Sequence, residues 1–309
     1  MVKKKMHLDR KIYPFEGKYA QVDGHHLHYL DEGQGAPVLM LHGNPSWSIY
    51  YRNLVLALRN EYRCIVPDHI GCGLSDKPKD SEYEYSFVQR AHDVQTLLEH
   101  LNVSEKITLV LHDWGGLIGM LYATQNIDKI SRIVLLNTAA FHLPKSKKIP
   151  AALRLARNTS LGSFLVQGFN AFSRCAAWVG CKRNPMSKSV RNAYCAPYDT
   201  WQNRIATLRF VQDIPLSPKD RGYRELTQVE KGLKNFKEKP SLICWGLKDF
   251  VFDRHFLEEW ERIWPEAKVH RFEDCGHYIL EDASDEIIPL IQEFIAAEGM
   301  GTIGDRKAV

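Results

Sequence analysis

Short apolar runs alternate with helical patterns along most of the chain. The apolar runs at residues 37–41, 64–66, 107–111, 130–136, 241–245 and 269–272 predict strands. Residues 85–101 and 117–124 instead place their apolar side chains at helical spacing, which predicts helices. Continuously apolar strands separated by helices are typical of a mostly parallel sheet with helices on both faces. The pattern therefore predicts an α/β fold.

Two segments depart from this alternation. Residues 19–29 predict a β-hairpin that turns at Asp23-Gly24, a dipeptide typical of tight hairpin turns. Residues 139–224 show helical and aromatic patterns without strand alternation, and they begin directly after a strand. Ligands of parallel sheets bind at that end of the strands. We therefore predict a core of residues 1–138 and 225–309 and an inserted helical cap of residues 139–224.

Composition narrows the classes of protein that fit. The chain has 309 residues, 44% of them hydrophobic, which suits one large domain with an insertion. A net charge of +4 gives no reason to expect a nucleic-acid partner. No run of 18 apolar residues predicts a transmembrane helix, and the basic N-terminus lacks the features of a signal peptide. Seven cysteines without paired spacing are typical of reduced thiols, so we expect a cytoplasmic protein.

The segment LHDWGG, residues 111–116, connects a predicted strand to a predicted helix. In α/β-hydrolases this is the position of the nucleophile elbow, a sharp turn that presents one side chain above the sheet. The usual pattern is G-x-S-x-G, whereas Asp113 occupies the nucleophile position here. Gly115 and Gly116 would leave room for the turn. The alternative is that Asp113 only caps the helix that follows it.

An acid and a histidine follow later strands. Asp249 comes after the strand at 241–245, and His277 comes after the strand at 269–272. The order nucleophile, acid, histidine is that of α/β-hydrolases. We therefore predict Asp113, Asp249 and His277 as the catalytic residues, with Asp253 as the second choice for the acid.

A carboxylate nucleophile implies a covalent mechanism without a metal or a cofactor. Asp113 is ionised at neutral pH, because the reference pKa of aspartate is about 3.9. It can attack a carbon atom to form an ester, and His277, oriented by Asp249, can activate water to break that ester. Asn44 and Trp114 offer N–H donors for a leaving anion. Alternatively, Asn44 is a turn residue before a proline and Trp114 packs in the core.

Four segments in this order carry a family resemblance: HGNPSW, DHIGCGLSDKP, HDWGG and GHYILED. They resemble the haloalkane dehalogenase family of α/β-hydrolases, over nearly the whole chain. In that family the aspartate is the nucleophile, while the asparagine and the tryptophan hold the leaving halide. The resemblance therefore implies these roles for Asp113, Asn44 and Trp114. Asn137 stands at the other position where family members carry the acid, which favours Asp249.

The resemblance also implies candidate substrates. Residues 193–216 and the segment DHIGCGLSDKP are most similar to the third branch of the family, which includes the β-lactone decarboxylase of bacterial long-chain olefin biosynthesis. We favour decarboxylation of a β-lactone to a cis-alkene and CO₂ over hydrolysis of a haloalkane. Epoxide hydrolases use two cap tyrosines, for which Tyr194, Tyr198 and Tyr223 are available. A ligand receptor without catalysis is a further alternative.

The predicted cap has an unusual charge. Residues 142–204 contain eleven lysines and arginines but one acidic residue, Asp199. A basic, apolar cap suits contact with an anionic membrane or an acidic partner protein, in addition to a small apolar or lipid-like substrate. We expect most of the cap aromatics to pack inside the cap: Phe164, Phe169, Phe172, Trp178 and Trp201. The histidines at positions 25, 26 and 28 alternate along the hairpin, so we do not expect a metal site there.

Overall fold

The computed structural model describes residues 8–297, which form one eight-stranded sheet. The strands are β1 (Lys18–Val22), β2 (His25–Glu32), β3 (Pro37–Leu41), β4 (Arg63–Pro67), β5 (Ile107–Asp113), β6 (Ile130–Thr138), β7 (Ser241–Gly246) and β8 (Lys268–Phe272). Their order is β1-β2-β4-β3-β5-β6-β7-β8. The β1–β2 and β2–β4 pairs are antiparallel, and the other pairs are parallel. The predicted α/β fold with a mostly parallel sheet is confirmed.

Helices separate most of the strands. They are α1 (Arg52–Leu58), α2 (Phe87–His100), α3 (Trp114–Gln125), α4 (Ala151–Asn158), α5 (Ser160–Phe169), α6 (Ala171–Val179), α7 (Lys188–Cys195), α8 (Ile205–Gln212), α9 (Tyr223–Gly232), α10 (Arg254–Ile263), α11 (Ile279–Asp282) and α12 (Ser284–Ala296). Helix α3 begins before the predicted residue 117, because it starts directly after the turn at Asp113. Across residues 8–297, none of the helices combines the length and the apolar character that a membrane span requires.

Both faces of the sheet are buried, which explains the continuously apolar strands. On one face, Leu109 and Leu111 of β5 belong to a core that includes residues of α2, α3 and α10. On the other face, Val110 belongs to a second core that includes residues of α1 and α12. Successive side chains of a strand point to opposite faces, so a strand between two cores must be apolar throughout.

Helices α4 to α8 are inserted between β6 and β7. A small apolar cluster of Ala156, Val166, Leu208 and Val211 holds α4, α5 and α8 together. Helix α9 packs against α3 of the core. The predicted end of the cap at residue 224 falls inside this helix, which begins at Tyr223. We refer to residues 139–224 as the cap segment.

The expectation that most cap aromatics are packed inside the cap segment was wrong. Phe172 is partly buried against the small cluster. The other four side chains are exposed: Phe164, Phe169, Trp178 and Trp201. The reason is that α5 and α6 are short and bury only a narrow face, formed mostly by small residues such as Gly162 and Ser173.

A buried ion pair connects the cap segment to the core. Nη1 and Nη2 of Arg52 in α1 both donate to the carboxylate of Glu281 in α11, and Nη2 does so at 2.8 Å. The hydroxyl of Tyr194 in α7 donates to the same carboxylate at 2.6 Å. The side chains of Arg52 and Glu281 are 9% and 8% exposed. Three helices from distant parts of the chain therefore meet at one carboxylate.

This arrangement predicts a large loss of stability on removal of Glu281. Glu281→Ala leaves the guanidinium of Arg52 buried without its partner, which typically costs about 3–5 kcal/mol. Urea unfolding of the variant and the wild type measures the difference. Glu259→Ala is the matched control, because Glu259 pairs with Arg262 on the surface, where such pairs contribute less than about 1 kcal/mol. Equal losses in the two variants would contradict the prediction.

Candidate active site

The site is built around a sharp turn at the end of β5. Asp113 has φ 51° and ψ −126°, a backbone conformation that residues other than glycine rarely adopt. Its carbonyl oxygen accepts a hydrogen bond from the hydroxyl of Thr138, at the end of β6. Its own side chain makes no capping hydrogen bond to α3. The turn therefore presents the carboxylate above the sheet edge, and the capping alternative finds no support.

Three glycines make room for this turn. A Cβ atom on Gly43 would lie 1.9 Å from Oδ1 of Asp113. Cβ atoms on Gly115 and Gly116 would lie 1.9 Å from the carbonyl oxygen of Leu41 and 1.8 Å from Oγ1 of Thr138. The two glycines of the sequence motif are thus required by close packing. Gly43 has the same role, which the sequence motif alone did not indicate.

The structure brings Asp113, His277 and Asp249 together. Nδ1 of His277 lies 2.8 Å from Oδ2 of Asp249, and Nε2 lies 3.7 Å from Oδ2 of Asp113. All three side chains are buried. The backbone N–H of Val251 donates to Oδ1 of Asp249 at 2.7 Å, which fixes this carboxylate. The histidine ring is therefore held between two carboxylates.

Asp253, the second choice for the acid, is used elsewhere. Its carboxylate accepts from the backbone N–H of His255 and so caps α10. The ammonium group of Lys147 lies 2.6 Å from it. Asp249 is therefore the carboxylate that contacts the histidine ring.

Burial and charge shift the pKa values of Asp113 and His277. Burial raises the pKa of Asp113 to about 6, against the opposing effects of His277 and of the backbone N–H groups of Asn44 and Trp114. Burial alone would lower the pKa of His277, but Asp249 and then Asp113 outweigh it, and the pKa is raised. Shifts of this kind in a cavity are typical of functional sites.

N–H donors lie beside Asp113. The backbone N–H of Asn44 donates to Oδ1 of Asp113 at 2.6 Å. The Asn44 side chain donates from Nδ2 to the carbonyl of Thr207 at 3.0 Å, so one of its two amide hydrogens is already used. The Trp114 ring packs on Phe210 with centroids 5.4 Å apart. Its indole N–H has no hydrogen-bond partner among residues 8–297, which leaves it available to a ligand.

A cavity of about 350 Å³ opens in front of these groups. Asn44, Asp113, Trp114 and His277 lie on its wall, and the rest of the wall is mainly apolar. The cap segment supplies a large part of it, including Ile149, Pro150, Ala152, Leu153, Phe172, Cys175, Ala176 and Val179. The volume is at the lower end of the range for small-molecule pockets, about 300–1,000 Å³. Asp113 and His277 therefore face an apolar chamber.

The cap tyrosines do not face this chamber. The hydroxyl of Tyr194 binds Glu281, and that of Tyr198 donates to the carbonyl of Ser46 at 3.2 Å. The ring of Tyr223 packs on His142, with centroids 4.2 Å apart. The described part of the chain thus offers no tyrosine pair of the epoxide hydrolase kind at the cavity wall.

Two residues behind the site were not recognised from the sequence. Nε2 of His112 lies 2.9 Å from the carbonyl oxygen of His277, and its ring stacks on Tyr50. Burial, followed by the charge of His277, lowers the pKa of His112 well below its usual value, so the ring is neutral and Nε2 donates. The ring of Phe252 stacks on the ring of His277, with an angle of 16° between the two ring planes. A histidine at the end of the otherwise apolar β5, directly before Asp113, was the signal for His112.

Asn137 supports the loop that carries Asp249. It has φ 38°, and its side chain accepts from the backbone N–H of Gly246 at 2.8 Å and donates to the Gly246 carbonyl at 3.0 Å. These bonds fix the end of β7, from which the loop to Asp249 starts. At the other position that the family resemblance offers for the acid, this chain therefore has an amide, which supports the loop to Asp249.

Asp68 and His28 form a buried pair with a structural role. Asp68 is fully buried and accepts from Nδ1 of His28 at 2.8 Å and from the backbone N–H groups of Ser48 and Leu74. It therefore holds together the loops after β3 and β4. In residues 8–297, no group of three or more histidine, cysteine, aspartate or glutamate side chains is arranged to hold a metal ion.

Comparison with known proteins places the chain in a family. The model of the α/β hydrolase fold family matches residues 36–284. A cis-3-alkyl-4-alkyloxetan-2-one decarboxylase from Shewanella oneidensis is 59% identical, over 92% of this chain and 89% of the relative. One of the same name from Xanthomonas campestris is 46% identical, over 92% of this chain and 97% of the relative. Haloalkane dehalogenase 2 from Mycobacterium bovis is 30% identical, over 92% and 96%.

Solved structures show the same fold. A haloalkane dehalogenase from Agrobacterium tumefaciens C58 superimposes with a TM-score of 0.81, at 21% identity, over 91% of this chain and 96% of that one. The extent and identity of the sequence matches exceed what a shared fold alone gives. The chain therefore belongs to the α/β-hydrolase fold family, within the group of enzymes that includes haloalkane dehalogenases and cis-3-alkyl-4-alkyloxetan-2-one decarboxylases.

Proposed function

We propose that this enzyme decarboxylates β-lactones with two alkyl substituents, with Asp113 as the nucleophile. The observation that carries the substrate class is the 59% identity to a decarboxylase of that specificity over 92% of the chain. The site supports the proposal, because a buried carboxylate and an apolar cavity suit a water-insoluble electrophile. We also propose a core of residues 1–138 and 225–309, a cap of residues 139–224 and a cytoplasmic location.

The chemistry is balanced without water. An oxygen of the ionised Asp113 attacks the ring carbon that carries the ring oxygen, and the carbon–oxygen bond breaks to release the substrate carboxylate. Loss of CO₂ from that carboxylate then sends an electron pair into a new carbon–carbon double bond, and Asp113 leaves as a carboxylate. Inversion in the first step followed by anti elimination gives a cis-alkene from a cis-lactone. Attack at the ring carbonyl is the other covalent route. It joins Asp113 to the substrate as a mixed anhydride and releases the ring oxygen as an alkoxide on the substrate.

The neighbouring groups support both steps. Trp114 and Asn44 donate N–H groups to the anion that forms when the ring opens. A protonated His277, oriented by Asp249, stabilises Asp113 as it leaves as a carboxylate. Esterification removes the charge of Asp113, which lowers the pKa of His277 and frees the ring to act as a base. The same residues can therefore serve either elimination or hydrolysis.

Hydrolysis of haloalkanes is the second candidate. It is motivated by the 30% identity to a haloalkane dehalogenase and by the two donors beside the nucleophile. In this reaction halide leaves in the first step, and water activated by His277 attacks the ester carbonyl. Solvent oxygen then enters the carboxylate of Asp113. This last feature separates the two reactions.

The substrate and partners follow from the cap segment. We propose a small apolar or lipid-like substrate, because the cavity wall is mainly apolar. We also propose that the basic part of the cap contacts an anionic surface, either a membrane or an acidic protein. Eleven basic residues against one acid in residues 142–204 support such a contact.

The first prediction concerns the covalent ester. In His277→Gln, attack by Asp113 remains possible while breakdown of the ester is slowed, so an adduct accumulates after addition of a cis-β-lactone. Intact-protein and peptide mass spectrometry locate it on Asp113. The double variant Asp113→Ala/His277→Gln is the control and forms no adduct. Turnover by the wild type without any adduct in His277→Gln would exclude Asp113 as the nucleophile.

The second prediction concerns pH. Asp113 must be ionised to attack, and its pKa is raised to about 6, so the rate of adduct formation falls as pH decreases through that value. Well below it, the rate falls about tenfold for each pH unit. Because His277 lowers the pKa of Asp113, His277→Gln moves the midpoint to higher pH. Rapid-quench measurements test this, and a rate that stays constant from neutral pH to well below 6 would contradict it.

The third prediction separates the two substrates on one enzyme preparation. A long-chain cis-β-lactone is followed by gas chromatography of the alkene, and 1-bromobutane and 1,2-dibromoethane are followed by bromide release. We expect rapid alkene formation, slow bromide release and no heavy oxygen in Asp113 after lactone turnover in labelled water. Asp113→Ala controls for background reaction. Rapid bromide release with an unreacted lactone would make the enzyme a dehalogenase.

A further inference from the structure

The outside of the cap segment carries a cluster of exposed aromatic rings. Phe164, Phe169, Trp178 and Trp201 are 50%, 59%, 67% and 49% exposed. The ring of Phe164 lies 5.6 Å from that of Phe169 and 6.0 Å from that of Trp201. In residues 8–297, eight of the twelve strongly exposed large apolar side chains lie between positions 155 and 216. Concentrated exposed apolar surface of this kind marks an interaction site.

A basic groove of about 770 Å³ lies beside these rings. Its walls include Arg174, Lys188, Arg191 and Arg204, with Asp199 as the one acid. The guanidinium of Arg191 lies 3.8 Å from the centroid of the Trp178 ring. Asn170 also lines the groove, and its buried Oδ1 has no hydrogen-bond partner in the described chain. We refer to this groove and the four exposed rings as the outer cap surface.

The positive charge of this surface is not neutralised by the protein. Of the eleven basic residues at positions 142–204, Lys147, Arg157 and Arg183 pair with carboxylates. The other eight have no carboxylate partner within residues 8–297. Burial and then the charge of Arg174 lower the pKa of Arg204, and the opposing effect of Asp199 is smaller. The surface is therefore complementary to anions.

Helix α6 separates the outer cap surface from the active-site cavity. One side of the helix contributes Cys175 and Val179 to the cavity wall, and the other contributes Arg174 and Trp178 to the groove. The side chain of Val179 is 41% exposed. Two other residues of the cavity wall, Leu216 and Phe250, are 37% and 45% exposed. Wall residues that are exposed mark the mouth of a cavity. The mouth and the groove are thus about one helix diameter apart, roughly 10 Å.

We propose that the outer cap surface binds an anionic phospholipid bilayer. The groove takes a lipid phosphate, the exposed rings enter the headgroup region, and the mouth faces the acyl chains. Tryptophan and basic residues together are typical of surfaces that lie at the membrane interface. A bilayer also explains why an apolar mouth opens next to a basic groove, which an acidic protein partner does not. The proposal deepens the anionic contact proposed above by naming a bilayer as the partner. Binding does not depend on the decarboxylase reaction, whereas delivery of a lipid-like substrate through the mouth does.

Flotation with vesicles tests the proposal on the full chain. We expect binding to phosphatidylcholine vesicles that contain phosphatidylserine, little binding to phosphatidylcholine alone, and loss of binding as salt rises, since exposed charges are screened within about 10 Å at 0.1 M. Arg174→Gln/Lys188→Gln/Arg191→Gln should lower the partition coefficient by roughly 100-fold. Phe169→Gln/Trp178→Gln should weaken binding at every salt concentration. Circular dichroism establishes that each variant is folded.

Lys106→Gln/Lys239→Gln/Lys268→Gln is the matched control. It removes the same charge at the opposite edge of the sheet, before or at the start of β5, β7 and β8, and should leave binding nearly unchanged. His277→Gln should bind vesicles like the wild type, so failure of the chemistry and failure of docking are distinguishable. Equal losses in the two triple variants, equal binding to both vesicle types, or no binding to either would overturn the proposal. So would a dimer or an acidic-protein complex that requires these residues while vesicles are not bound.

Discussion

The turn at Asp113 holds a residue other than glycine at φ 51°, and the arrangement of the whole site depends on it. Such conformations cost on the order of 1–3 kcal/mol and persist only where the surroundings enforce them. Here the hydroxyl of Thr138 holds the carbonyl oxygen, and three glycines let neighbouring backbone approach where no Cβ atom would fit. The result is a buried carboxylate on the wall of a mainly apolar chamber, with backbone N–H groups and His277 as its polar neighbours. Burial then brings its pKa to about 6, within reach of neutral pH.

The fold and the position of the candidate site could be predicted because two signals in the sequence are local. They are the apolar runs of buried strands and the polar residues just after strand ends. Strands buried on both faces must be apolar throughout, and chemistry-bearing residues follow strand ends, so the proximity of Asp113, Asp249 and His277 could be predicted from position alone. The predicted bounds of the helices were less accurate. Helix α3 starts at the turn, three residues before its apolar periodicity becomes visible.

Long-range packing accounts for what the sequence did not indicate. His112 and Phe252 support His277 through ring contacts between segments far apart in the chain, and no spacing rule encodes such contacts. The cap aromatics were misassigned for a related reason. Whether an apolar side chain on a short helix is covered depends on which helices pack beside it, and α5 and α6 leave one side uncovered.

The carboxylate of Glu281 fixes where the cap segment can move. Its partners Arg52 and Tyr194 tie α7 to the core only a few residues beyond His277, so displacement of α7 would also disturb the loop that carries the histidine. Helices α4 and α5 are held to α8 by a small apolar cluster, and Arg157 of α4 also pairs with Asp220. Helix α7 and His277 are therefore mechanically coupled through one carboxylate. A shift of α7 would be transmitted to the ring of His277 and so to its distance from Asp113.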